Sequence, residues 1–209
     1  MSDLTPKTPE DIIALATEGM PEPPPNVKAE LWREAMAWAK TVVFAVLFAL
    51  AINNFVIVNA LVPTGSMEGT IRGNDRVVAF RLSYLFGEPQ RYDIIVFRGP
   101  DDGTLYVKRI IGMPGETISV VGGQVYVNGA SAHIRSDFVQ VGPHGYMGPG
   151  FMPQVIPQGH FFVLGDNRGN SIDSRHWVNP FVAEGRILGR VVFRYFPGFE
   201  NLGRSAHND

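Results

Sequence analysis

Ser66 stands in the stretch "PTGSMEGTI", with a glycine before it and a methionine after it. A serine hydroxyl becomes a nucleophile when a neighbouring base removes its proton, and histidine is the commonest such base. None of the five histidines lies in a recognisable triad context: His133, His144, His160, His176 and His207. We interpret each as a surface or structural residue, which leaves lysine as the other candidate base.

Lys108 lies in "YVKRIIGMPGE" and is one of four lysines in the chain. In a pleated strand Lys108 shares a face with Tyr106 and Ile110, whereas Val107 and Arg109 point the other way. An apolar face desolvates the amine, lowers its pKa and lets the neutral form act as a general base. The strand pattern alone favours a simpler alternative, a lysine at a sheet rim whose ammonium reaches water.

A third polar stretch, "GDNRGNSIDSRHW", follows the apolar run "HFFVL". Side chains at a strand end can orient others, so Ser171 could hydrogen-bond a lysine amine and Asp173 could form a paired charge with Arg175. Arg168 stands among the residues that would ligate a metal, which disfavours a metal site here. This stretch shifts the balance toward a catalytic role for Lys108.

An uncharged run of 21 residues, Thr41 to Leu61, ends shortly before Ser66. At about 1.5 Å per residue it spans roughly 30 Å, the thickness of the hydrocarbon core of a bilayer. We interpret it as a retained membrane anchor whose lipid-embedded part ends near Ile52, since three asparagines weaken its second half. A buried core helix and a signal peptide cleaved after Ala60 are the alternatives. Cationic residues flank the run on both sides, so charge bias does not decide its orientation.

Short β-branched and aromatic runs alternate with turn signals from residue 75 onward, which predicts an all-β domain. The predicted strands are "DRVVAF", "DIIVFR", "TLYVKRII", "ETISVV", "QVYVNG", "HFFVLG" and "RVVFRYF". Gly122 and Gly123 can adopt the positive φ of a two-residue hairpin turn between two of these strands. Residues 133–158, rich in Gly, Pro and Met, predict an insertion that is either an ordered arm or a mobile loop.

Composition excludes several classes of protein. A net charge of -2 lacks the basic excess typical of nucleic-acid binding. The absence of cysteine excludes a disulfide scaffold, a thiolate metal site and a cysteine nucleophile. The predicted organisation has four parts: a disordered Pro-rich tail at 1–27, an amphipathic lead-in with a transmembrane helix at 28–61, a β-rich domain at 62–198 and a flexible tail at 199–209.

Three motifs in this order, "PTGSM", "YVKRIIGMPGE" and "GDNRGNSIDSR", resemble the bacterial type I signal peptidase family, the membrane-bound serine peptidases with a Ser/Lys dyad. The resemblance covers about residues 41–197. It implies that Ser66 is the nucleophile and Lys108 the general base, and that the Thr64 hydroxyl and the Ser66 amide hold the oxyanion. It further implies a supporting role for four residues: Met67 beside the lysine, Ser171 orienting its amine, and the pair Asp173 and Arg175.

The chain departs from the family pattern at two places. Glu68 and Gly69 stand where the nucleophile segment usually continues with a proline, which predicts a looser turn. His176 follows Arg175 where an aromatic residue is more usual. Neither position belongs to the dyad.

The resemblance implies an antiparallel β-sheet catalytic domain behind a single transmembrane helix, on the extracytoplasmic side of the cell (inner) membrane. The expected substrates are secretory preproteins cut after Ala-x-Ala, with membrane lipid as a further partner and no cofactor, metal or nucleic acid. We expect an extended peptide to dock between the segment before Ser66 and the strand carrying Lys108. Its residues one and three before the cut would then face a shallow apolar wall, formed by Val62, Ile94, Leu105 and Tyr106.

Three other functions share features with this sequence. A self-cleaving repressor uses a similar dyad, but its DNA-binding helices are missing here. A penicillin-binding type acyltransferase needs Ser-x-x-Lys, and position 69 is a glycine. A non-catalytic, membrane-anchored β-domain that binds peptides or partner proteins stays possible if Lys108 is solvated.

Overall fold

The structure, a computed structural model, describes residues 8, 10, 27–132, 134 and 138–203. Contacts divide the chain into two units, Met1–Leu47 and Phe48–Asp209. The predicted tail at 1–27 lies almost entirely outside the described residues. The predictions for His133 and His207 also fall outside them.

Helix α1 comprises Val27–Ala51 and is followed by a π-helical turn, Ile52–Val56. Its first half is rich in Ala, Leu and Glu, which favour helices, and its second half is apolar on every side. The side chains from Lys28 to Ala51 are exposed, so no protein core covers this apolar surface. By length and composition the segment Lys28–Val56 could cross a membrane.

The predicted extent of the helix, to residue 61, is wrong because the chain turns into a strand at Ile57. Strand β1, Ile57–Val62, pairs antiparallel with strand β2, Asp75–Phe80, from Ile57 opposite Phe80 to Val62 opposite Asp75. The end of the apolar run is rich in β-branched residues, and a short run of this kind suits a strand as well as a helix. Backbone hydrogen bonds to β2 decide between the two.

Antiparallel strands build the rest of the chain, in agreement with the predicted fold class. A large sheet has the order β1-β2-β11-β3-β4-β9-β10, with β12 paired to β11, and a smaller sheet has the order β7-β6-β5-β8. The bounds after β1 are β2 Asp75–Phe80, β3 Ile94–Arg98, β4 Leu105–Gly112, β5 Thr117–Val121, β6 Gln124–Val127, β7 Ala130–Ser131, β8 Phe151–Val155, β9 His160–Leu164, β10 Val182–Ala183, β11 Ile187–Phe196 and β12 Glu200–Asn201.

Local sequence explains the turn between β5 and β6. Gly122 and Gly123 have φ of 57° and 83° and join β5 to β6, with Val121 opposite Gln124. Both angles lie in the left-handed region, where a residue with a Cβ is strained. This hairpin therefore forms as its sequence predicts.

Two predicted boundaries differ from the structure. The insertion at 133–158 contains a strand, β8, which pairs with β5 and so belongs to the smaller sheet. The predicted flexible tail at 199–209 contains β12 and the buried Leu202, which packs into the core beside Val191. Hydrogen bonds from the Leu202 and Gly203 amides to the Val192 carbonyl fix this end of the chain against β11.

Candidate active site

Ser66 and Lys108 meet in the large sheet. Ser66 lies on a single 3-10 turn, Gly65–Met67, between β1 and β2, and Lys108 lies in the middle of β4. The Lys108 Nζ atom is 2.6 Å from the Ser66 Oγ atom. Both residues are buried, with exposed fractions of 3% for Lys108 and 6% for Ser66. The hydroxyl and the amine are thus held in direct hydrogen-bond contact away from bulk water.

Burial lowers the pKa of Lys108 from 10.5 to about 8, since an ammonium loses its hydration in this site. The negative charges of Asp173 and Asp166 oppose this effect, and the positive charge of Arg175 adds to it. About half of the amine is neutral near pH 8. A neutral amine has the lone pair that a general base needs.

Thr64 precedes the turn and is exposed toward the cavity. Its Oγ1 donates to Ser66 Oγ over 3.3 Å. The hydroxyl therefore lies next to the nucleophile, where it can also turn toward an oxyanion that forms there.

The turn after Ser66 is closed, in contrast to the looser turn expected without the proline. The Glu68 amide donates to the Gly65 carbonyl and the Thr70 amide to the Met67 carbonyl, each over 3.1 Å. Gly69 has a φ of +105°, which only glycine adopts without strain. Gly69 has no β-carbon, so the backbone can adopt this positive φ and close the turn without a proline.

Ser171 lines the same cavity, but the structure gives no hydrogen bond between its hydroxyl and the Lys108 amine. Among the described residues the buried Ser171 Oγ has no hydrogen-bond partner. Gly165 explains how closely the segments pack: a Cβ there would lie 2.2 Å from Ser171 Oγ and 2.4 Å from the Ser66 carbonyl oxygen. The orienting role of Ser171 thus stays a prediction.

Asp173 and Arg175 form a buried ion pair, with 2.8 Å between Arg175 Nη2 and Asp173 Oδ2. Burial alone would raise the pKa of Asp173, but hydrogen bonds from His176 and Arg175 hold it well below its usual range. Arg175 also donates to the carbonyls of Met147 and Arg168. The pair therefore ties the loop after β9 to the 138–148 segment.

A second buried ion pair, Arg109 with Asp166, was not anticipated. Arg109 is fully buried, and its Nη2 lies 2.7 Å from Asp166 Oδ2. The ring centroid of Phe138 lies 3.7 Å from the guanidinium carbon, and Thr70 donates its hydroxyl to Asp166. One feature of the sequence does point to such a pair. Arg109 follows Lys108 in an apolar strand, and a guanidinium buried there needs a charged partner.

A cavity of about 420 Å³ opens beside the dyad. Three of the four residues expected to form the substrate wall line it: Val62, Leu105 and Tyr106. Ile94 does not line it, and this part of the prediction is wrong. Strand β3 is buried along Ile94–Phe97, so Ile94 packs inside the core with Val62 and Met67.

The remaining candidate residues occupy other positions. Met67 is fully buried in the core cluster that contains Ile94. His176 is exposed at the cavity and lies 3.7 Å from Asp173. Among the described residues no group of three or more His, Asp or Glu side chains could hold a metal ion.

Known proteins resemble the chain over most of its length. The model of the family "Signal peptidase, peptidase S26" matches residues 35–196. Signal peptidase I of Leptolyngbya laminosa is 37% identical over 189 residues, which cover 85% of this chain and 89% of that protein. Signal peptidase I T of Bacillus subtilis is 37% identical over 166 residues, which cover 78% of this chain and 86% of that protein.

A crystal structure of a signal peptidase I from Enterococcus faecalis is 34% identical in sequence. The match covers 50% of this chain and 97% of that one, with a TM-score of 0.43. The family match and the relatives agree with the three motifs. The chain therefore belongs to the signal peptidase family, peptidase S26, and within it to the signal peptidase I enzymes.

Proposed function

We propose that this enzyme removes signal peptides with a serine–lysine dyad in which Ser66 is the nucleophile and Lys108 the general base. The observation that carries the proposal is the 2.6 Å contact between Lys108 Nζ and Ser66 Oγ at a buried site. Burial lowers the pKa of the amine to about 8, so its neutral form is available at mildly alkaline pH and can accept the serine proton directly. No histidine is needed.

The reaction then proceeds in two halves. Lys108 takes the proton from Ser66 Oγ as this oxygen attacks the scissile carbonyl, and the Thr64 hydroxyl and the Ser66 amide stabilise the oxyanion. The Lys108 ammonium returns the proton to the leaving amine, which departs as the new N-terminus of the mature protein. The signal peptide is now held as an ester on Ser66 Oγ. Lys108 next takes a proton from water as the water oxygen attacks the ester carbonyl. The bond between this carbonyl and Ser66 Oγ then breaks, Lys108 returns the proton to Oγ, and the signal peptide leaves as the free acid.

Substrate docking uses strand edges that carry no partner. Strand β1 pairs only with β2 among the described strands, and β9 pairs with β4 only from Arg109 onward. The outer edges at 61–62 and 105–108 therefore face the cavity and pair there with no other strand of the described residues. An extended peptide can pair with them, and its side chains then alternate, so that the first and third residues before the cut face the wall that includes Val62 and Tyr106.

Such a wall selects small residues, which supports cleavage after Ala-x-Ala. In this proposal Tyr106 and the buried Val62 limit the depth of the cavity beside the dyad, which disfavours large side chains there. The middle residue points away from the wall. We infer that its identity is free.

The apolar helix supplies the membrane anchor in this proposal. Segment Lys28–Val56 is long and apolar enough to span a bilayer, and Ser66 follows it by ten residues. We propose a single-pass protein of the cell (inner) membrane with its catalytic domain on the extracytoplasmic side. Because the chain contains no cysteine, single-cysteine variants at Lys7 and at Val178 can be labelled in intact cells with an impermeant maleimide. Labelling at Val178 alone supports this orientation, and labelling at Lys7 alone contradicts it.

Incubation of the detergent-solubilised full chain with a preprotein carrying an Ala-x-Ala site tests the proposed function. Cleavage should be lost in Ser66→Ala and in Lys108→Met, with cooperative thermal unfolding retained. Ser131→Ala, at an exposed serine of the smaller sheet, is the matched control and should cleave normally. A Ser66→Ala protein that still cleaves would contradict the dyad, and a parent protein that binds the preprotein without cutting it would favour a peptide-binding domain.

A further inference from the structure

The segment at 138–148 is joined to the loop after β9 by backbone hydrogen bonds. The Gln140 amide donates to the Asp166 carbonyl over 2.7 Å, and the Arg168 amide donates to the Gln140 carbonyl over 2.9 Å. Gln140 and Asn167 thus form a short parallel bridge. Part of the predicted insertion is therefore an ordered arm at the edge of the active site.

Two glycines bring the arm and the loop into backbone contact. A Cβ on Gly169 would lie 2.5 Å from the Tyr146 carbonyl oxygen and 2.8 Å from the Gly142 Cα. The Gly142 amide donates to the Tyr146 carbonyl over 2.9 Å and closes the turn. Because no side chain fits between the two segments, the turn from Gly142 to Tyr146 has one position against the loop.

Arg175 fixes the arm on the other side of Tyr146. Its guanidinium donates to the Met147 carbonyl, and a Cβ on Gly148 would lie 2.3 Å from its Nη1. Tyr146 thus stands between two rigid attachments. Its side chain lines the catalytic cavity, the residue is 54% exposed, and its ring packs against no other aromatic ring within the described part of the chain.

The location of Tyr146 relative to the cut follows from its contacts. The Asn167 amide donates to the Ser66 carbonyl over 3.1 Å, so the loop that carries the arm adjoins the nucleophile itself. Residues before the cut are assigned to the strand edges, whose wall ends at Tyr106 beside Trp177, with 5.3 Å between the ring centroids. The arm lines the same cavity through Tyr146 and Gly148, beside the loop that contacts Ser66 and not on either strand edge.

We propose that Tyr146 is a specificity-determining residue that contacts the first residues of the mature protein, on the carboxyl side of the cut, and favours apolar side chains there. This inference rests on the proposed function. An exposed aromatic ring held in place by its backbone offers apolar area at little cost in conformational entropy. The ring thereby adds a contact that the strand-edge docking of the signal peptide does not supply.

The test uses the solubilised full chain and preproteins that differ only at the first or second mature residue, with Gly, Ala, Leu or Phe there. In the parent enzyme we measure the ratio of kcat/KM for the Leu or Phe substrate to that for the Gly substrate. Tyr146→Ala should lower this ratio about 3- to 10-fold at one of the two positions, the range of a lost aromatic contact. Tyr146→Phe should keep it. Met152→Ala, an exposed residue of β8 in the same insertion, is the control.

Three results would overturn the proposal. They are an unchanged ratio in Tyr146→Ala, an equal loss of activity with every substrate, and a change that follows the residues one and three before the cut. Each of them leaves the dyad standing, since the parent and Met152→Ala still cleave. Cleavage by Ser66→Ala, in contrast, would reject the proposed function itself.

Discussion

Lys108 Nζ and Ser66 Oγ lie 2.6 Å apart although 42 positions separate the two residues in the chain. Burial lowers the pKa of the lysine to about 8. Because only the neutral amine can take the serine proton, kcat/KM should rise with pH through an apparent pKa near 8 and level off above it. Lys108→Arg should be inactive, since a guanidinium keeps its proton at these pH values. Measurement of kcat/KM between pH 6 and 10 checks both, and near-normal turnover by Lys108→Arg would reject a lysine base.

The same pKa predicts a dependence of stability on pH. The folded-state pKa of Lys108, about 8, lies below the ordinary value of 10.5, so the unfolded chain binds the extra proton between these values. The cost of burying the lysine is fully present below pH 8 and disappears as the pH rises toward 10.5. The melting temperature of Lys108→Met relative to the parent should therefore fall over this interval. Melting curves in one detergent at pH 7, 8, 9 and 10 measure it, and a constant difference would mean that Lys108 is solvated.

The Thr64 hydroxyl should raise kcat by stabilising the oxyanion. Its hydroxyl lies 3.3 Å from Ser66 Oγ, and Thr64→Val keeps the shape of the side chain while removing the donor. Loss of one oxyanion donor lowers kcat by ~10²–10³-fold, with little change in KM. Thr64→Ser retains the donor and should be mild. Steady-state kinetics of the two variants give kcat and KM separately. An unchanged kcat in Thr64→Val would mean that the hydroxyl is only structural.

Asp173→Asn should have two measurable effects. The charge of Asp173 raises the pKa of Lys108, so its removal should move the rising limb of kcat/KM toward lower pH. Arg175 loses its buried carboxylate, and breaking such a pair costs about 3–5 kcal/mol. The pH profile at low temperature and the melting temperature report these effects separately. Glu88→Gln, at an exposed carboxylate, is the control, and a profile shifted to higher pH would contradict the charge assignment.

Substrate choice can be tested by a scan of the three residues before the cut in one preprotein. Leu or Phe should block cleavage at the first and third positions, because both face the wall that includes Val62 and Tyr106, and should be tolerated at the second. Product formation under single-turnover conditions gives the comparison. Equal tolerance at all three positions would reject docking along the two strand edges and leave the dyad untouched.

The strands with strong β-branched patterns could be predicted from the sequence, because they depend on local residue types. The roles of Ser66 and Lys108 were expected only from the resemblance of three motifs, since the strand pattern alone favoured a lysine at a sheet rim. The end of the helix could not, since the run before Val62 suits a strand or a helix and pairing with β2 decides. Strand β8, "FMPQV", lacks a clear alternating pattern and forms because β5 offers it an edge.

Contacts between distant segments were the least predictable part of the site. Nothing in the sequence near Phe138 indicates that its ring covers the guanidinium of Arg109, since the contact depends on how the arm crosses the sheet. Ile94 was expected in the substrate wall. Its side chain instead packs in the core cluster that contains Met67 and Ile71, and this packing depends on segments far from β3 in the sequence.

The place of β11 has a consequence for the biosynthesis of the enzyme. Ser66 belongs to the β1–β2 hairpin and Lys108 to the β3–β4 hairpin, and β11, at Ile187–Phe196, is the strand that joins β2 to β3. The two hairpins emerge from the ribosome long before the strand that links them, and contacts so distant in sequence form late in folding. A nascent chain that stops before Ile187 therefore contains Ser66 and Lys108 but lacks the strand through which β2 and β3 are joined in one sheet.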